Sequence, residues 1–311
     1  MKKINSVSGE IYADKLGVTL MHEHLFNNYP YYLEKQNSEF ALNQLKKLQA
    51  YGVQTLVDLT PYAKVGTYEN VIEESDINII CAVGVYLGKL IPSEYKRLSV
   101  DGLVKKMAKK IEVGSGKKHY KPGVIKIAAS GAALSEYEKR FFKAAAIIQQ
   151  QFHLPIATHS PHGALNHLEY LLEVGAEPKH IYISHIENEI NKSNFEKIFD
   201  NVKKILSYQT SVVLTNFGSS ITGSRCKNSI QLAQYIKEQG KLSQLLLSAD
   251  SNWRWKGGSL KLRENHLGGS QRVYTYVFTH IIPELKKNGG FEDSDFEHIL
   301  KINPQTMFDY R

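Results

Sequence analysis

The sequence has few cysteines and no long apolar run. Its two cysteines, Cys81 and Cys226, exclude a framework of several disulfides, and a reducing cytoplasm is the compartment that we expect. No stretch approaches the roughly eighteen consecutive apolar residues that a membrane-spanning helix needs. The basic start of the chain is not followed by the apolar segment of a signal peptide. We therefore expect a cytoplasmic protein with no membrane partner.

Motifs for nucleic-acid binding are also missing, and no Pro-, Gly- or Ser-rich linker divides the chain. The 39 basic residues exceed the 31 acidic ones, which gives a formal net charge of +8. This excess indicates either an acidic small-molecule ligand or a lysine-rich surface. The second explanation is favoured, because the basic residues are spread along the chain. Pairs such as Lys46-Lys47 are typical of solvated helix faces. We expect no nucleic-acid partner.

Eight short apolar segments recur along the chain. They occupy residues 18–24, 55–60, 79–87, 123–130, 155–160, 181–186, 212–217 and 245–250. Most are rich in Val, Ile and Leu without strict alternation, which is typical of strands buried on both faces of a parallel sheet. Segments with helical periodicity lie between them, at residues 40–52, 134–152, 163–174, 230–239 and 273–285. The alternation predicts an α/β fold, a single-domain (β/α)8 TIM barrel that comprises residues 1–311.

Polar residues at the ends of these segments indicate the chemistry. The first segment ends in His22-Glu23-His24. Residues two apart on a strand face the same side, so His22 and His24 should face the barrel interior and Glu23 the outer helices. The other polar residues lie in the fourth, fifth, sixth and eighth segments, and they are Lys126, His159, His185 and Asp250. Barrel enzymes place their active sites at this carboxyl edge, and imidazole and carboxylate groups suit zinc and similar ions.

Each of these residues has a simpler explanation when it is taken alone. A single histidine at a strand end is more often a hydrogen-bonded core residue than a ligand. A buried lysine usually has an ion-pair partner, and a strand-end aspartate often caps a helix. Four histidines, one lysine and one aspartate at the same edge are much harder to explain by chance. The combination therefore predicts a metal centre.

The ordered set of motifs resembles the phosphotriesterase family, which includes lactonases. The matching stretches are residues 16–25, 123–126, 158–159, 184–185 and 248–250, and Asn303-Pro304 followed by Phe308 resembles the family's closing motif. The resemblance spans nearly the whole chain. It implies a metal-dependent hydrolase, a lactonase or an aryldialkylphosphatase-like esterase, with two divalent metal ions. Zinc is the first expectation and manganese or cobalt the alternative. A homodimer is expected from the resemblance alone.

The resemblance also implies a role for each residue of the centre. The more buried metal would be held by His22, His24 and Asp250, and the more exposed one by His159 and His185. Lys126 would be carboxylated and would bridge both metals, which removes the cost of burying its positive charge. A hydroxide between the metals would attack the substrate, with Asp250 as proton acceptor. Asp250 and Lys126 are therefore the expected catalytic residues, and the sequence contains no Gly-x-Ser-x-Gly motif for a serine nucleophile.

The loops after the strands are expected to bind the substrate. Tyr86 resembles a tyrosine of the lactonase branch and is either a hydrogen-bond donor to the reacting oxygen or a packed aromatic residue. The long segment 251–272 is expected to be a lid or a binding loop. An anionic group could be bound by a set of basic residues, which are Arg225, Lys227 and Arg254, with Arg272 as a further candidate. The alternative is that these are exposed loop cations.

Three hypotheses about function follow. The first is a lactonase that opens a small phosphorylated sugar lactone. The second is a phosphotriesterase or other phosphate-ester hydrolase with the same centre, and the third is a non-catalytic barrel that binds metal and an anion. Asn216 stands where lactonases for acyl-homoserine lactones commonly carry an arginine, which argues against that substrate. The complete ligand set argues against the third hypothesis.

Overall fold

The computed structural model describes residues 3–25, 34–61, 68–69, 71, 73–88, 91–190, 195–217, 222–251, 253–256, 259–262 and 273–310. An antiparallel hairpin of β1 (Lys3–Ser6) and β2 (Gly9–Tyr12) precedes the main sheet. The main sheet has eight parallel strands that adjoin in sequence order. They are β3 (Val18–Glu23), β4 (Val53–Asp58), β5 (Asn78–Gly84), β6 (Val124–Ala128), β7 (Ile156–His159), β8 (Ile181–Ser184), β9 (Ser211–Leu214) and β10 (Leu245–Leu247). All eight predicted strands are confirmed, with shorter carboxyl ends.

Helices separate these strands and cover the outside of the sheet. The α-helices span Glu34–Gln49, Ser93–Lys96, Val100–Val113, Glu136–Phe152, Ala164–Glu173, Phe195–Ser207, Ser224–Glu238, Ile282–Gly289, Asp293–Glu297 and Asn303–Phe308. Short 3-10 turns occupy Ala13–Lys15, Pro178–His180, Ile186–Glu189 and Leu242–Gln244, and Val277–Ile281 and His298–Ile302 are π-helical. This nearly closed barrel confirms the predicted (β/α)8 fold. Among the described residues, no helix is both long and apolar enough to cross a membrane.

The apolar core has two layers, one inside the barrel and one between the sheet and the helices. Strand β6 shows how the sequence divides between them. Val124 belongs to the inner cluster, whereas Ile125 and Ile127 belong to the outer one. Because side chains alternate along a strand, Lys126 shares the inner side with Val124. The strand therefore places a fully buried lysine in the barrel interior.

The barrel is closed between its first and last strands by hydrogen bonds rather than by a regular ladder. The backbone N–H of His22 donates to Ser248 Oγ at 2.9 Å, and the N–H of Asp250 donates to the carbonyl of His22 at 3.2 Å. Asp250 adopts a left-handed backbone conformation with φ of 48°. The seam thus brings the carboxyl ends of β3 and β10 together.

Several elements of the structure were not predicted from the sequence, among them the hairpin β1–β2 and the short helices Ser93–Lys96, Asp293–Glu297 and Asn303–Phe308. Helices Val100–Val113 and Phe195–Ser207 were not predicted, although Leu103, Met107 and Ile111 are buried at the four-residue spacing of an amphipathic helix. The segment predicted to be a loop after the last barrel strand contains a second antiparallel hairpin, β11 (Trp253–Lys256) and β12 (Ser259–Leu262). Eight residues of this segment therefore form paired strands, and its role as a lid or a binding segment stays a prediction.

Candidate metal centre

Three of the predicted ligands meet at the seam of the barrel. Oδ1 of Asp250 lies 3.6 Å from Nε2 of His22 and 3.3 Å from Nε2 of His24. One ligand atom from each residue lies within 4.8 Å of the others. Both histidines are buried, whereas the Asp250 side chain is 22% exposed at the mouth of the barrel. Two imidazoles and one carboxylate can therefore surround a single cation.

Lys126 lies directly beneath this group. Its Nζ is 3.5 Å from Nε2 of His22 and 5.9 Å from the centre of the Tyr86 ring. Burial lowers the pKa of Lys126 to about 7, although the carboxylate of Asp250 opposes that shift. A fully buried ammonium ion is costly, so the neutral amine or an anionic derivative suits this position better.

The other two predicted ligands adjoin the same centre. The ring centroids of His159 and His185 are 4.4 Å apart, and those of His185 and His22 are 4.9 Å apart. Tyr86 is half-buried and has its ring centroid 5.1 Å from that of His159 and 6.3 Å from that of His24. The fold therefore brings all four histidines, Lys126, Asp250 and Tyr86 to one end of the barrel.

Three of the histidines are hydrogen-bonded to hydroxyl groups through Nδ1. Nδ1 of His22 is 2.8 Å from Ser184 Oγ, and Nδ1 of His24 is 3.0 Å from Thr60 Oγ1. Nδ1 of His185 is 2.9 Å from Thr215 Oγ1. A hydrogen bond at Nδ1 fixes the ring and leaves Nε2 available to a metal ion. These hydroxyls were not singled out in the sequence analysis, although each lies at or just after the end of a barrel strand.

The protonation states of the ligands also suit metal binding. Burial and the neighbouring Lys126 amine hold the pKa of His22 well below its usual value, and burial and the adjacent His185 ring do the same for His159. Burial raises the pKa of Asp250, but a hydrogen bond from His24 and the surrounding imidazoles outweigh it, so that pKa lies well below its usual value. Neutral imidazoles and an ionised carboxylate are the forms that bind cations.

Glu23 occupies a position that the sequence analysis did not foresee. It was expected to face the outer helices, but its buried carboxylate turns to the segment after β10. There it accepts hydrogen bonds from Ser248 Oγ at 2.7 Å, from the N–H of Ala249 at 2.7 Å and from the N–H of Ser251 at 2.8 Å. Burial raises the pKa of Glu23 to about 8, and these three bonds oppose that shift. Glu23 therefore fixes the backbone on both sides of Asp250. The signal for it was a charged residue inside a buried strand, which must find polar partners.

The basic residues predicted to bind an anion are not part of this cluster. Arg225 and Lys227 lie in the first turn of helix Ser224–Glu238, near the carboxyl end of β9, and both are exposed, whereas Cys226 between them is buried. Within the described part of the chain, no hydrogen bond or ion pair joins either cation to a residue of the centre. The backbone of Arg254 belongs to β11, and its side chain lies outside the described residues, as does the whole of Arg272.

Comparisons with known proteins find relatives along nearly the whole chain. A family model described as the Phosphotriesterase family matches residues 2–308. An aryldialkylphosphatase of Saccharolobus solfataricus is 27% identical over 312 residues, which cover 96% of each chain. A phospho-furanose lactonase of Mycoplasmopsis synoviae is 24% identical over 335 residues, which cover 98% of this chain and 91% of the relative. A solved triple mutant of an organophosphorus hydrolase from Deinococcus radiodurans is 25% identical, with a TM-score of 0.86 and coverage of 99% of this chain and 98% of that one.

Proposed function

The chain belongs to the Phosphotriesterase family and is a metal-dependent hydrolase, and from this premise we propose that it is a lactonase for a small phosphorylated sugar lactone. The observation that carries this proposal is the convergence of four imidazoles, one carboxylate and a buried lysine at the mouth of the barrel. We propose that residues 1–311 act as one domain.

The residues of the centre fit two divalent cations. His22, His24 and Asp250 would hold the more buried ion, and His159 and His185 the more exposed one. Lys126 would join the two sites after its neutral Nζ forms a bond to the carbon of carbon dioxide and loses a proton to solvent. The resulting carbamate is anionic, so it removes the cost of a buried ammonium ion and adds two oxygen ligands. Zinc suits the predominance of imidazole, and manganese or cobalt would also be accepted.

The residues of the chain would divide the chemistry between them. Bound cations would supply an activated water molecule and polarise the reacting oxygen of the substrate. Asp250, ionised and partly exposed at the mouth, would accept the proton of the attacking water and pass it to the departing ring oxygen. Tyr86, beside His159, would donate a hydrogen bond to the reacting oxygen. The carbonyl carbon gains one oxygen, the ring C–O bond breaks, and a hydroxy acid results.

Replacement of Tyr86 by Phe tests this role directly. Loss of a hydrogen bond that strengthens as charge develops should lower kcat about tenfold to a hundredfold, with a smaller change in KM. If Tyr86 is only a packed aromatic residue, Phe should leave kcat within about twofold of the wild type, because the ring and its contacts are retained. Tyr12→Phe, at an exposed position remote from the mouth, is the control.

The choice of a phosphorylated lactone rests on two features. One relative is named a phospho-furanose lactonase, and two exposed cations, Arg225 and Lys227, lie in the first turn of the helix that follows β9. One charge-assisted hydrogen bond contributes about 1.5–3 kcal/mol, which corresponds to a factor of about 10–150 in kcat/KM. We therefore expect the zinc-loaded enzyme to prefer five- or six-membered sugar lactones with a phosphate by at least about tenfold over their unphosphorylated forms.

The same kcat/KM measurements can also contradict the proposal. Equal kcat/KM values for the two forms would remove the anion-binding part of it. A second candidate is phosphate-ester hydrolysis, which the aryldialkylphosphatase relative favours. It would replace the lactonase if triesters were turned over with a higher kcat/KM than every lactone. A chain that binds less than one metal ion and hydrolyses neither class in zinc or manganese with bicarbonate would be a non-catalytic barrel.

A further inference from the structure

Two of the histidines in the centre are held by the same kind of group on different strands. The first is His24. Its Nδ1 lies 3.0 Å from Oγ1 of Thr60, just after β4. The N–H of Thr60 donates to Oδ1 of Asp58 at 3.0 Å, and the Thr60 side chain also hydrogen-bonds to that carboxylate. Asp58 is fully buried and accepts a further bond from the hydroxyl of Tyr68 at 2.7 Å. The threonine that contacts His24 is therefore itself hydrogen-bonded to a buried carboxylate.

The second arrangement supports His185. Its Nδ1 lies 2.9 Å from Oγ1 of Thr215, which follows β9. That hydroxyl donates to Oε1 of Glu187 at 3.1 Å. The same oxygen accepts the N–H groups of Thr215 at 2.9 Å and of Asn216 at 2.7 Å. Glu187 is buried, like Asp58, and the two arrangements share no residue.

The direction of each hydrogen bond follows from the number of protons available. A threonine hydroxyl has one proton, and it can donate to only one partner. A carboxylate oxygen accepts, so the hydroxyl proton of each threonine is directed to Asp58 or to Glu187. The hydroxyl must then accept from the histidine, whose Nδ1 therefore carries the ring proton. When a metal ion is bound, Nε2 is then the nitrogen that ligates it.

We propose that Asp58–Thr60 and Glu187–Thr215 are two positioning relays, one for each metal site, that fix the tautomer and the ring orientation of His24 and His185. This inference rests on the metal centre of the proposed function. His24 belongs to the site with His22 and Asp250, and His185 to the site with His159. Each relay therefore acts on one cation, and loss of either should weaken one binding step only.

The matched pair of substitutions at each threonine is Val and Ser. Valine has nearly the shape of threonine but no hydroxyl, whereas serine keeps the hydroxyl and loses a methyl group. Removal of a partner of a ligating histidine typically lowers metal affinity about 10–100-fold. We expect this loss in Thr60→Val for one zinc-binding step and in Thr215→Val for the other. Thr60→Ser and Thr215→Ser should remain within about threefold of the wild type.

The experiment measures zinc affinity of the metal-free full-length chain by competition with a chromophoric chelator in the presence of bicarbonate. His24→Asn and His159→Asn identify which step belongs to which site. Ring 15N chemical shifts of the metal-free protein supply a second measurement, since Thr60→Val should reduce the population of His24 that carries its proton on Nδ1. Thermal unfolding confirms that each variant is folded, and Thr→Ala replaces a Thr→Val variant that does not fold, with the same expectation.

The outcomes separate the two proposals. If the wild type binds two zinc ions and the Val variants bind both with unchanged affinity, the relays are overturned while the metal centre stands. The relays are also overturned if Val and Ser variants lose the same affinity, or if both Val variants weaken the same step. If the wild type binds less than one zinc ion, the metal centre fails and the relays fail with it.

Discussion

Gly84 is a position at which one added methyl group should disrupt the metal centre. It ends β5 with φ of 131°, a backbone conformation that residues with side chains rarely adopt. A Cβ atom at this position would lie 2.0 Å from the carbonyl oxygen of Lys126 and 2.9 Å from its carbonyl carbon. That oxygen accepts the N–H of Val85 at 2.8 Å. Gly84→Ala therefore forces β5 and β6 apart beside the lysine of the metal centre.

The cost of Gly84→Ala can be estimated from these contacts. The backbone conformation adds about 1–3 kcal/mol of strain. Opening the bond between Val85 and Lys126 leaves buried polar groups without partners, which costs about 1–3 kcal/mol. Displacement of the packed strands adds about 1–3 kcal/mol more. We expect the free energy of unfolding to fall by about 4 kcal/mol or more, and the zinc content to fall as well, because Lys126 moves.

Gly240→Ala is the matched control. Gly240 also has a positive φ, 66°, but a Cβ atom there would have nothing within 4 Å. Gly240→Ala should therefore cost only the strain of the left-handed backbone conformation, about 1–2 kcal/mol. Urea unfolding of both variants, followed by circular dichroism, gives the comparison, and metal analysis gives the zinc content. If Gly84→Ala were no more destabilising than Gly240→Ala and retained wild-type zinc, the close approach of the two strands would not control stability or zinc binding.

Three further predictions concern single side chains. Lys126→Met, which fills the buried space without an amine, should reduce the bound zinc to about one ion per chain or less by metal analysis; full occupancy would exclude a bridging role. Asn303→Asp should cost about 2–4 kcal/mol in urea unfolding, because the Asn303 amide donates to the carbonyls of Leu242 at 2.8 Å and Leu245 at 2.7 Å, which a carboxylate would repel. Asn166→Asp, at an exposed position, should change stability by less than about 1 kcal/mol. Tyr182→Phe should cost about 1 kcal/mol, because its fully buried hydroxyl donates to the carbonyl of Met21 at 3.1 Å; a change no larger than that of the exposed Tyr12→Phe would contradict this.

The sequence could predict the barrel because burial on both faces leaves a local pattern. Most strands of the sheet are rich in Val, Ile and Leu without strict alternation, and the histidines and aspartate of the centre lie at or just after their carboxyl ends. The helix Val100–Val113 was missed although its buried residues follow helical spacing and its charged residues lie between them, as on an amphipathic helix. The β11–β12 hairpin was missed although Trp253–Lys256 and Ser259–Leu262 alternate between apolar and polar or charged side chains and Gly257-Gly258 separates the two runs.

The sequence by itself determined which residues lie at the mouth of the barrel, since a residue at the end of a parallel strand can only lie at that edge. Only the tertiary structure decided how they are held. Asp58 and Glu187 were not singled out, because a hydrogen bond from a side chain to a residue on another strand leaves no local pattern. The turn of Glu23 towards Ser248 and Ser251 likewise depends on where the first and last strands meet, 225 residues apart in sequence for Glu23 and Ser248. The order of the strands follows from local sequence patterns, whereas the hydrogen-bond partner of a buried polar side chain depends on how the barrel closes.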